Sequence, residues 1–138
     1  MKTINGFDIS FDFSKLTKIS DLIYFDGPLL SHYKSNKGEN YLFYWVDADD
    51  KYNRWIVIRT DISSILLYLE KRISLHAIIT QPNDDFVYIV DIDNGLNYHN
   101  IKLLPIASLP EDYTPTENSF YTFDVYADTV PCFVDEVK

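Results

Sequence analysis

Residues 55–69 read Trp55-Ile56-Val57-Ile58-Arg59-Thr60-Asp61-Ile62-Ser63-Ser64-Ile65-Leu66-Leu67-Tyr68-Leu69, and the hydrophobic period changes within them. Trp55 to Ile58 is an unbroken apolar run rich in β-branched residues, the mark of a buried strand. Four residues later the apolar positions Ile62, Ile65, Leu66 and Leu69 fall at i, i+3, i+4 and i+7, one stripe of a helix. Thr60 or Asp61 is placed to cap that helix by accepting from its free backbone N–H groups. Lys71 and Arg72 follow its negative end. Ser74 opens a shorter second helix through Ile79, which ends near Pro82. A run of strands followed by helices defines an α+β fold.

Upstream, Tyr41-Leu42-Phe43-Tyr44-Trp45-Val46 is apolar on both parities, as in a strand buried on both faces. Asp47 to Asn53 reads as a polar loop before the next strand. Ser35-Asn36-Lys37-Gly38 is a turn. Leu22 to Tyr33 reads as two extended pieces around a bend at Asp26-Gly27-Pro28. Phe7, Ile9, Phe11 and Phe13 alternate with polar residues, so they predict a half-buried strand. Short connections favour an antiparallel meander.

Downstream, Phe86 to Asp93 returns to strand. Asn94-Gly95 predicts a type I′ hairpin, because both positions tolerate positive φ. That turn sets Asp93 opposite Leu96, Asp91 opposite Tyr98, Val90 opposite His99, Tyr88 opposite Ile101 and Phe86 opposite Leu103, the last three pairs on the core face. Pro105, Pro110 and Pro115 then break regular structure. The expected architecture is an antiparallel sheet, a meander plus the Asn-Gly hairpin, with one main helix and a short second helix on one face. The 138 residues fit a single domain of the usual ~100–150 residues. Its core lies at about 6–104, and residues 105–138 form an acidic, aromatic C-terminal segment.

Charge is distributed unevenly. Residues 1–80 hold ten acids and ten bases, so the net charge of −9 belongs to residues 81–138. A pI near 4.6 with arginine only at 54, 59 and 72 argues against direct nucleic-acid binding, which needs clustered cations. Acidity also disfavours anionic membranes, and no stretch approaches the ~20 apolar residues of a membrane span. The N-terminus lacks an apolar signal core, and the single Cys132 forms no disulfide within the chain. These readings give a cytoplasmic, soluble protein with no cofactor.

Motifs for chemistry are scarce. Neither Asp47-Ala48-Asp49-Asp50 nor Asp91-Ile92-Asp93-Asn94-Gly95 has the glycine and twelfth-position acid of a helix–loop–helix calcium site. A looser divalent site at Asp91 and Asp93, or at Asp47 and Asp49, stays open as the basis of a metal-dependent enzyme. His32, His76 and His99 lack metal-ligand spacing. His99 and His76 read as satisfied, half-buried side chains, and Cys132 has no neighbouring base to activate it. There is no Gly-x-Ser-x-Gly elbow and no phosphate-binding loop. Trp45 and Trp55 read as core tryptophans with arginine packed over them, or else as an aromatic and arginine surface. Arg54 and Arg59 have opposite strand parity, so at least one is expected to pair with a carboxylate such as Asp47 or Asp49.

The pattern Asp26-Gly27-Pro28-Leu29-Leu30, Tyr41-Leu42, Trp45-x-Asp47, Arg54-Trp55 and Ile73-Ser74-Leu75 resembles a group of small bacterial domains of unknown function. The resemblance covers roughly residues 21–104 and excludes the acidic tail. It implies a bacterial or phage origin and an intracellular setting, and it carries no activity or catalytic residue to transfer.

The expected function is therefore non-enzymatic: a regulatory or accessory protein, as in a bacterial or phage conflict system, that binds a protein partner with a basic surface. The candidate contact residues are Tyr113, Phe120, Tyr121, Phe123, Asp124, Tyr126 and Asp128, with aromatics as anchors and acids for steering. Alternatives are the metal-dependent enzyme and an acidic nucleic-acid mimic that blocks a DNA-binding protein. Strand addition by residues 120–126 would give a homodimer.

Overall fold

The computed structural model describes residues 13–24 and 27–115. Six strands form one sheet in the order of the chain: β1 Thr17–Tyr24, β2 Pro28–Lys34, β3 Asn40–Ala48, β4 Tyr52–Thr60, β5 Phe86–Asp93 and β6 Tyr98–Pro105. Every neighbouring pair is antiparallel. The connection from β4 to β5 carries α1 Ile62–Leu69 and α2 Leu75–Thr80. The fold is thus α+β, an antiparallel meander with both helices packed on one face. No helix among the described residues is long and apolar enough to cross a membrane.

The sheet separates two apolar layers. Leu30, Leu42, Tyr44, Ile56, Ile58, Val87 and Ile89 face Ile65, Tyr68, Leu75, Ile78 and Ile79 of the helices. The opposite face is aromatic: Tyr41, Phe43, Val57 and Val90 pack with Tyr33, Trp55, Tyr88 and Tyr98. Both parities of β3 are buried from Tyr41 to Tyr44, as its composition requires. Phe13 plugs the aromatic face, edge-on to Phe43 at 6.2 Å and Tyr88 at 5.4 Å and stacked on Tyr98 at 5.1 Å. Offset and edge-on contacts of this kind suit the ring quadrupole. Phe13 does so from a 3-10 turn, Phe13–Lys15, and not from a strand; Phe7, Ile9 and Phe11 lie outside the described residues.

Several local expectations change. Asp47, Tyr52 and Asn53 belong to strands, which leaves a tight turn in which Asp49 accepts from Lys51 N–H at 2.9 Å and Tyr52 N–H at 2.8 Å. Ser74 caps α2 by accepting from Ala77 N–H at 3.0 Å. Neither Thr60 nor Asp61 makes the corresponding side-chain cap on α1: Asp61 accepts from the Asn83 side chain instead, and Thr60 is a buried strand residue. The buried face of α1 is Ile65 and Tyr68, while Ile62 and Leu66 are half exposed. Tyr68, fully buried, turns the helix away from the stripe that aliphatic spacing alone predicts.

The last hairpin forms, but in another register. Asp91 faces His99, Ile92 faces Tyr98, Tyr88 faces Leu103 and Phe86 faces Pro105. The cause is Asp93, whose Oδ1 accepts from Gly95 N–H and Asn97 N–H, both at 2.9 Å. This side-chain turn widens the loop, and Asp93 N–H bonds to Asn97 O. Positive φ then falls on Leu96 and, after an irregularity between Ile89 and Asp91, on Asn100. The strand β1 is irregular in pairing at three places, between Lys18 and Ser20, Asp21 and Ile23, and Ile23 and Tyr24.

Candidate functional site

At one end of the sheet, β3 carries a bulge between Trp45 and Asp47. Trp45 pairs with Trp55 on the aromatic face, and the extra residue brings Asp47 opposite Arg54 on the helix face. Arg54 and Asp91 are buried at 6% and 1% exposure. The guanidinium donates from Nε to Asp91 Oδ1 at 2.8 Å, and from Nη2 to Oδ2 at 3.1 Å. Its Nη1 donates to the hydroxyl of Tyr113 at 3.1 Å, and that hydroxyl donates to Asp47 Oδ2 at 3.2 Å. Asn100 completes the node by donating to Asp91 Oδ2 at 2.9 Å. Burial opposes the charge on Arg54, yet the bonds to Asp91 and Tyr113 raise its pKa above the ordinary guanidinium value. Asp91 is the carboxylate partner of Arg54, while Arg59 on the aromatic face pairs with Glu39 and Asp84.

Beside this node lies a cavity of about 860 Å³. Its walls come from the aromatic face and from the segments that cross the sheet end: Tyr33 and Leu29 of β2, Phe43, Tyr44 and Trp45 of β3, Asn53 and Trp55 of β4. Asp93 and Leu96 of the last hairpin, with Asp112 and Tyr113, also line it. Trp45 keeps 36% exposure and is oriented by its indole N–H, which donates to Asn53 Oδ1 at 3.0 Å. Tyr33 and Phe43 rings meet at 4.3 Å. Burial pushes the phenol of Tyr44 up to about 12 and raises that of Tyr33, so both are neutral hydrogen-bonding groups near neutral pH. Asp93 is held down to about 2, chiefly by the bond from the Asn97 backbone, then by the bond to His99 at 2.8 Å.

The sequence-predicted contact residues divide. Tyr113 is buried in the core, in a 3-10 turn, with its hydroxyl committed to Arg54 and Asp47; it is not a surface anchor. Phe120, Tyr121, Phe123, Asp124, Tyr126 and Asp128 lie outside the described residues, as does Cys132. The acidic pairs are separated in role. Asp91 sits in the buried node and Asp93 caps the hairpin; Asp47 joins the node and Asp49 caps a turn. Among the described residues no group of three or more His, Cys, Asp or Glu is placed to hold a metal ion. His76 Nδ1 donates to Pro115 O at 2.8 Å, and His32 Nε2 bonds Asn40 Oδ1 at 2.9 Å. Of the tryptophans read as core, Trp55 packs against the aromatic cluster while Trp45 is 36% exposed, and both line the cavity. The signal for this was the odd parity shared by Phe43, Trp45 and Trp55, opposite to Ile56 and Ile58.

Comparison with curated proteins and with solved structures returned no match. The sequence profile of a family does match, over residues 14–127, beyond the 21–104 region of resemblance at both ends and well into the acidic segment. The chain belongs to the family of unknown function DUF6575.

Proposed function

We propose that this chain is a non-enzymatic binding protein, a regulatory or accessory subunit that receives a protein partner at the cavity between its aromatic face and its Arg54 node. The observation that carries this reading is that both tryptophans of the chain line one cavity, at a volume typical of ligand sites, ~300–1,000 Å³. Trp45 remains partly exposed there, and tryptophan is enriched among residues that dominate interfaces. Leu96, 77% exposed and part of the cavity lining, holds a φ of 65°, a conformation that costs a branched residue stability. Such strain is concentrated at functional sites. The bacterial or phage setting belongs to this proposal through the sequence resemblance alone.

The test is retention of proteins from native-host lysate by the full chain and by its Trp45→Ala variant, with melting temperatures measured alongside. The expected result is a protein retained by the parent and lost by a variant of similar melting temperature. A protein retained equally by both moves the contact away from the cavity.

A further inference from the structure

We infer that Asn94-Gly95 is a site of spontaneous covalent modification, deamidation through a cyclic imide, and that the Asp93 carboxylate restrains it by holding the attacking nitrogen. Asparagine is a thermally labile side chain, and a following glycine brings no Cβ to obstruct ring closure. Asn94 and Gly95 are both exposed, so water and solvent bases reach them.

The reaction needs only water. The Gly95 backbone nitrogen gives up its proton to solvent base and attacks Asn94 Cγ. A C–N bond forms, and the side-chain nitrogen leaves as ammonia, taking a proton back from solvent. The resulting imide ring joins the two residues. Water then opens it. Cleavage at the side-chain carbonyl gives aspartate; cleavage at the main-chain carbonyl gives isoaspartate, whose chain runs through Cγ. Nothing is oxidised or reduced.

The folded hairpin opposes the first step. The Gly95 N–H, whose proton must leave, donates to Asp93 Oδ1 at 2.9 Å. That oxygen also accepts from Asn97 N–H at 2.9 Å. Asp93 Oδ2 accepts from His99 Nε2 at 2.8 Å and from Asn97 Nδ2 at 3.3 Å, so the carboxylate is held at both oxygens. A hydrogen bond to an ionised acceptor is stronger than a neutral one, and it keeps the proton on nitrogen. An amide anion formed there would also face the negative charge of the carboxylate. The residue that sets the hairpin register thus protects the pair that the turn exposes.

Modification would reach the cavity. Either product adds a negative charge next to Asp93. Isoaspartate also inserts a main-chain carbon into the turn closed by Asp93 N–H on Asn97 O, at 3.1 Å, and by Leu96 N–H on Asp93 O, at 3.0 Å. Asp93 and Leu96 both belong to the cavity lining.

The test incubates the full chain, Asp93→Ala and Asn94→Ala at neutral pH below their melting temperatures, with the parent unfolded in guanidinium chloride as reference. Mass spectrometry of proteolytic fragments reads deamidation at Asn94, and NMR hydrogen exchange reads opening of the Gly95 N–H. Asp93→Ala is expected to deamidate several-fold faster than the folded parent, with Gly95 exchange faster by a comparable factor, since both processes remove the same proton. Asn94→Ala should lose the signal, which separates it from Asn97 and Asn100. The parent alone keeps the test decisive where Asp93→Ala folds poorly: its folded rate at Asn94 is expected several-fold below its unfolded rate. Equal folded and unfolded rates, or an unchanged rate in Asp93→Ala despite faster Gly95 exchange, would overturn the restraint. No reaction at Asn94 in the unfolded chain would overturn the site itself.

Discussion

Arg54 of β4 and Asp91 of β5 face each other across paired strands and share two parallel hydrogen bonds, 2.8 and 3.1 Å long, inside the protein. A pair this deep is fixed in geometry, but either partner alone is an uncompensated charge. Asp91→Ala is expected to destabilise the fold by ~3–5 kcal/mol, and Arg54→Met with Asp91→Leu by much less than the sum of the single changes. Denaturant melts of the singles and the double check this.

Tyr113 ties the segment after β6 to that pair. Tyr113→Phe keeps the ring in the core but removes the hydroxyl that accepts from Arg54 and donates to Asp47. The expected loss is ~1–2 kcal/mol. It should couple to Asp47→Ala, since both changes break one hydrogen bond; thermal melts of the three variants measure that coupling.

The acid limb of the stability curve has a named contributor. The folded pKa of Asp93, about 2, lies below its ordinary 3.8, so its contribution is present above that ordinary value and is lost as pH falls toward 2. Asp93→Asn should make stability less pH-dependent across that window. Carboxyl NMR of the parent should place the Asp93 midpoint near 2, and a midpoint near 3.8 would refute the assignment.

Leu96 holds its positive φ in solvent. Leu96→Gly relieves the left-handed strain and is expected to stabilise the hairpin by ~1 kcal/mol, read as a rise of a few degrees in Tm. Asn100, at φ 51°, should behave differently: Asn100→Gly relieves the same strain but removes the donor to Asp91, so no gain is expected.

Thr60 has a buried hydroxyl with no hydrogen-bond partner among the described residues. Thr60→Val, nearly equal in shape, removes that unmet group and should leave stability unchanged or raise it by up to ~1 kcal/mol. A clear loss in calorimetry would show that the hydroxyl is bonded in solution.

Period told most of the fold. Residues 41–58 announce strands, Ile65 and the helical spacing around it announce α1, and Ser74 announces the start of α2. What escaped were choices made by side chains acting on the backbone. Asn94-Gly95 suits a two-residue turn, yet Asp93 takes the N–H groups of Gly95 and Asn97 and moves the register. The bulge after Trp45 reverses the parity of Asp47, so counting alternate residues places it on the wrong face. The node joins residues 37 and 59 positions apart, Arg54 to Asp91 and Arg54 to Tyr113, and no local pattern carries that information. The aromatic wall was visible as residue type, but its openness at Trp45 depends on how the sheet ends.

The irregular pairing of β1 and of β6 has a consequence for assembly. These strands are the two flanks of the described sheet, and an incoming strand needs an even row of N–H and C=O groups to dock. Three breaks along β1, with Lys18 and Asp21 set among them, and the left-handed Asn100 on β6 interrupt that row on both sides. Within the described sheet the meander thus carries its own terminators, since regular lateral pairing meets gaps on either flank.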